Sequence, residues 1–95
     1  MRMMLRVMVD TAMGSEALKT GRLPQLIQAL SEKIKPEAAY FSLQDGQRCG
    51  FFFFDMTDQT QMPSIAEPLY MELGAEIDLQ PAMNFEDLAK GLQSM

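Results

Sequence analysis

Apolar and polar positions alternate along residues 2–9. Met3, Leu5, Val7 and Val9 fall on one side, and Met4, Arg6 and Met8 on the other. A period of two predicts a strand. Its second side is mostly apolar too, so the strand is expected at the centre of a sheet with both sides covered. Residues 10–21, DTAMGSEALKTG, mix polarities around two glycines. They predict a loop with one helical turn at Ser15–Lys19, longer than most connections in a small domain. The period then changes. Leu23, Ile27, Leu30 and Ile34 recur at helical spacing, which predicts a helix over 22–35. Pro24 suits its first turn, and Pro36 stops it because the residue before a proline avoids the helical region.

Alternation returns over residues 37–44 and 47–56, two runs joined by Asp45-Gly46. Asp-Gly between apolar runs signals a two-residue hairpin turn, since both positions must take positive φ. That turn sets Gln44 opposite Gln47, and hence Tyr40 opposite Phe51, Ala38 opposite Phe53 and Ser42 opposite Cys49. The other side carries Ala39, Phe41, Leu43, Phe52 and Phe54, the more apolar set, expected beneath the helices. After a polar stretch at 57–61, Pro63 opens a second helix to Leu73 with Ile65, Ala66, Leu69 and Leu73 as its buried stripe. Pro68 inside it predicts a kink, and Gly74 is placed to end it. Residues 75–80 alternate again as a fourth strand, expected at an edge. Asn84 caps a last short helix with Asp87 near the third position. Leu88 and Leu92 are its expected anchors.

The order β-α-β-β-α-β plus a tail helix predicts one α+β domain over residues 1–95. It is the split βαβ, ferredoxin-like arrangement, a four-stranded antiparallel sheet with the helices on one face and the first and third strands central. The four phenylalanines 51–54 then divide into two pairs. Phe52 and Phe54 enter the core, while Phe51 and Phe53 lie beside Met4 and Met8 on a face that no helix covers. Left wet, that face is an apolar patch on the order of several hundred Å². A second copy packing sheet against sheet would cover it, so a homodimer is expected. Composition agrees: hydrophobic residues make up 47% of the chain, which is high for so small a monomer.

Charge narrows the partners. The net charge is −5 and lysines and arginines form no run, which argues against nucleic acid and against an anionic membrane surface. A single cysteine, Cys49, cannot form an internal disulfide. The absence of histidine excludes His-based zinc sites and His-based acid–base catalysis. The apolar stretch near the start, interrupted by Arg2, Arg6 and Asp10, is too short for a signal segment or a membrane span. A cytoplasmic setting is expected, with no metal and no cofactor.

The element order, the apolar rear face and the stretches KPEAAYF (35–41) and MPSIAEPLYMELGAEIDLQPAMNFEDL (62–88) resemble the dimeric α+β barrel superfamily, and within it a group of small bacterial proteins. The resemblance spans nearly the whole chain and is specific for fold, not for activity. It implies a dimer whose two sheets form a barrel, with ligand clefts between sheet and helices. Superfamily members include antibiotic-biosynthesis and quinol monooxygenases, haem-degrading enzymes, muconolactone isomerases and stress-responsive proteins. Haem-binding members commonly use a histidine ligand, which this chain lacks.

The residues suggest a ligand site on the rear face. Tyr40 and Ser42 can orient an oxygenated ligand, Phe53 gives a flat apolar wall, Arg6 supplies a cation, and Asp10 could join them; plain dimer packing is the alternative role of Tyr40, Ser42 and Phe53. Arg6 shares its face with Glu76 and Asp78, so an ion pair across a dimer is the alternative role. Cys49 beside Arg48 is either a thiol with a lowered pKa or a small buried residue. Glu67, next to Pro68, is either a general base or an exposed carboxylate that caps local backbone. The expected function is a homodimer that binds a small apolar or aromatic ligand. The alternatives are a cofactor-independent monooxygenase or isomerase working through Tyr40, Arg6 and a carboxylate, and a structural subunit that pairs through its sheet face.

Overall fold

The structure, a computed structural model, describes residues 1–95. Strands β1 (Arg2–Met8), β2 (Ala38–Gln44), β3 (Gln47–Asp55) and β4 (Glu76–Pro81) form one antiparallel sheet in the order β2-β3-β1-β4. Four helices accompany it: α1 (Thr11–Lys19), α2 (Arg22–Ile34), α3 (Met62–Leu73) and α4 (Phe85–Gln93). The expected register holds, with Ser42 opposite Cys49, Tyr40 opposite Phe51 and Ala38 opposite Phe53. Asp45 and Gly46 both take positive φ, 52° and 77°, as a tight hairpin turn requires.

The core lies between the sheet and the helices. Met3, Leu5 and Val7 of β1 and Phe52 and Phe54 of β3 are buried with Leu26, Leu30 and Ile34 of α2 and with Ile65, Leu69 and Leu73 of α3. Each of these large side chains contributes about 1.5–3 kcal/mol on burial. On α2 the buried stripe is centred on Leu26, while Leu23 and Ile27 stay half-buried. Lys35, at φ 46°, closes that helix immediately before Pro36.

Residues 11–19 form a full helix where the sequence predicts mostly loop. Asp10 caps it, its carboxylate accepting from the backbone N–H of Met13 at 3.0 Å. Gly14 weakens the helical signal, yet close packing requires it. A Cβ at Gly14 would stand 2.7 Å from Val9 Cγ1 and 3.0 Å from Arg48 Nη1.

Pro68 lies inside α3 and has no N–H for the carbonyl of Ser64, four residues back. Lys33 Nζ reaches over from α2 and donates to that carbonyl at 2.7 Å. Gly74, at φ 54°, ends the helix.

Two expectations fail at the margins. The helices do not reach β2, so Phe41 and Leu43 are 59% and 74% exposed rather than buried beneath them. No residue from Ala38 to Gln44 is charged. At the other margin, α4 has the expected capping box between Asn84 and Asp87, but its apolar side lies open. Phe85 is 88% exposed, and Leu88 and Leu92 are exposed with it. Asp87 accepts from Arg2 Nη1 at 2.6 Å, which ties only the first turn of α4 to the sheet. No helix is long and apolar enough to cross a membrane.

Candidate functional site

The face of the sheet away from the helices is built in rows across the strands. Ala38, Phe53, Met4 and Gln80 form one row; Tyr40, Phe51, Arg6 and Asp78 the next; Ser42, Cys49, Met8 and Glu76 the third. The register therefore brings Arg6, Tyr40, Ser42 and Phe53 onto one face, as expected. Tyr40 and Ser42 are exposed there and Phe53 is half-buried.

Arg6 is already engaged. Its Nε donates to Asp78 Oδ2 at 2.8 Å, its Nη2 donates to the same oxygen, and its Nη1 contacts Met8 Sδ at 3.0 Å. The ion pair expected across a dimer thus forms inside one chain. Asp10 does not join this face, because its carboxylate caps α1 beside Gly74. Glu67 is exposed on α3, and it is Lys33, not Glu67, that answers the backbone gap at Pro68. Cys49 is buried, with its thiol 3.8 Å from Gln44 Oε1. Burial pushes the thiol pKa up, and the opposing pull of Arg6, not of Arg48, is the smaller influence. No group of three or more acidic or thiol side chains is arranged to hold a metal ion.

A second feature lies on the helix side, where α2 stands beside the β2–β3 hairpin. An apolar cleft of about 330 Å³ opens there, walled by Leu23, Ile27 and Leu30 of α2, Val7 and Val9, and Phe41 and Phe52. Its shape follows from the local sequence. No helix covers β2, and Gly50, opposite Phe41 in the ladder, has no side chain to fill the gap. Phe41 and Phe52 meet edge to face, centroids 5.6 Å apart and planes at 84°. A Cβ at Gly50 would stand 3.0 Å from the Phe52 ring and 3.4 Å from Phe41, so glycine is what lets the two rings close over the strand.

The polar lining is sparse. Ser42 and Arg48 border the cleft together with Cys49 and Gly50, and no carboxylate and no tyrosine does. Of the expected four residues only Ser42 borders it, and its register position puts its hydroxyl on the opposite face of the sheet. Such a surface can bind and orient an apolar molecule, but it presents no carboxylate, phenol or imidazole for proton transfer. In the sequence Arg48 stands out only as a neighbour of Cys49. Strand alternation holds the missed signal, because Arg48 falls on the same side as Phe52 and Phe54, one cation on the helix-facing side of the strand. Neither the protein-family models nor the curated proteins searched contain a match to this chain.

Proposed function

We propose that this chain is a homodimeric binding protein with a ferredoxin-like, dimeric α+β barrel architecture, which holds a small apolar or aromatic ligand in the cleft between α2 and the hairpin. The cleft itself carries the ligand part. Its 330 Å³ falls at the small end of ligand pockets, and its mostly apolar wall with a few polar groups is their usual composition.

Shape supports the dimer. A monomer of this mass is expected to expose about 5,500 Å², whereas this chain exposes 6259 Å². The excess is close to the ~800 Å² that each partner loses in a standard interface. The radius of gyration, 14.7 Å, likewise exceeds the ~12 Å of a compact domain of this length. Phe51, Phe53 and Met4 on the bare sheet face and the apolar side of α4 are the surfaces a second copy would cover. A cofactor-independent monooxygenase or isomerase would need a proton acceptor near the ligand, and the cleft lining offers none of the usual ones.

Sedimentation and an NMR titration test the two parts separately. The wild type should sediment as a dimer at micromolar concentration, and Phe53→Asp should give monomer or aggregate, because an unpaired charge in an interface costs several kcal/mol. Titrating naphthalene-sized aromatics should shift amide signals of Leu23, Ile27, Phe41 and Gly50, and Ile27→Trp, which fills the cleft, should abolish those shifts. A wild-type monomer would refute the assembly, and shifts scattered over the surface would refute the cleft.

A further inference from the structure

We infer that the cleft is built for an acid: an apolar or aromatic ligand bearing one carboxylate, which Arg48 receives. This inference builds on the ligand-cleft reading above and adds the charge of the ligand. The chain has four arginines, and three of them hold carboxylates. Arg2 donates to Glu37 and Asp87 at 2.6 Å, Arg6 to Asp78, and Arg22 to Glu72 at 2.6 Å. Arg48, the one that borders the cleft, pairs with no acidic group. In a chain with 13 acidic residues and a net charge of −5, an arginine left without a carboxylate is the exception.

Arg48 is also held in position. Its Nη1 and Nη2 donate to two neutral acceptors on α1, the Thr11 carbonyl at 3.4 Å and Ser15 Oγ at 3.2 Å. Both contacts are long, and a guanidinium carries five N–H donors, so capacity remains for a planar, bidentate partner. Gly14 clears the space the guanidinium occupies, since a Cβ there would come within 3.0 Å of Nη1. Arg48 and the apolar Leu23, Ile27 and Phe41 line the same cleft. Together they match a molecule with a ring or short chain at one end and a carboxylate at the other. The overall negative charge of the protein disfavours polyanions, so a single charge fits best.

A matched pair of probes tests this: 2-naphthoate and its uncharged amide, 2-naphthamide, titrated at neutral pH by NMR and calorimetry. The acid should bind the wild type about tenfold or more tightly than the amide, as a charge-assisted bidentate contact implies. Arg48→Gln should erase that preference, leaving acid and amide within about twofold of each other, and Arg48→Lys should keep part of it. Equal affinities in the wild type, a measurement that needs no variant, would overturn the inference while leaving the apolar cleft intact. A preference that survives Arg48→Gln would also overturn it. If neither probe binds, the inference falls together with the cleft reading.

Discussion

At Cys49 two influences oppose each other, and magnitude decides between them. The thiol is 4% exposed. Burial disfavours its charged form more than the Arg6 guanidinium favours it, so the group stays a thiol at neutral pH and is a poor nucleophile. Cys49 in the folded protein should therefore react with iodoacetamide at pH 7.5 at least about tenfold more slowly than in urea, as followed by mass spectrometry. Equal rates would mean that the rear face opens readily. The sequence already suggested a small buried residue at this position. It did not show which arginine faces the thiol, because that depends on pairing across strands: β1 lies beside β3 with Met8 opposite Cys49. The resemblance implied a cleft between sheet and helices, but the same limit hid its position and its lining. A void is made by several elements failing to meet, and neither Gly50 nor Arg48 announces one alone.

Among the elements, α3 shows a local defect mended by a neighbour. Pro68 leaves the Ser64 carbonyl without its helical donor, and Lys33 supplies one from α2. Pro68→Ala should restore the helical bond and raise stability by about 1 kcal/mol or more, less than the ~3 kcal/mol of an isolated helix interior because the substitute contact already exists. Lys33→Ala should cost about 0.5–1 kcal/mol in the wild type and nearly nothing in the Pro68→Ala background. Urea titration of the four proteins checks the coupling, and additive effects would refute it. The hairpin follows from its own residues. Gly46→Val should destabilise by about 1 kcal/mol or more, since a β-branched residue resists positive φ, and an unchanged melting midpoint would contradict the turn. Elements governed by such local rules were legible: the Asp45-Gly46 turn, the Asn84 cap, the stop before Pro36. Helix α1 was not, because Gly14 answers to Val9 and Arg48 on other elements rather than to helix propensity. The tail helix was legible as a helix but not in its placement, since Leu88 and Leu92 make an apolar side without specifying what covers it.

At the scale of the whole molecule, the sheet has two unlike margins. β4 alternates Glu76 and Asp78 with its apolar residues and ends at Pro81, features that discourage another strand from joining it. β2, Ala38–Gln44, has neither charge nor proline, and Phe41 and Leu43 stand exposed along it. A seven-residue edge of this kind is a template for runaway strand addition, in which each arriving chain extends the sheet and presents the same edge to the next. Concentrated or heated samples should accordingly form thioflavin-positive fibres from this margin. Leu43→Lys should slow them strongly while moving the unfolding midpoint little, because the side chain it replaces is already in water. Fibres that form equally fast with lysine at position 43 would place the nucleus elsewhere in the chain. With lysine there slowing them, the margin that leaves the cleft open would also be the molecule's weakest defence against its own polymerisation.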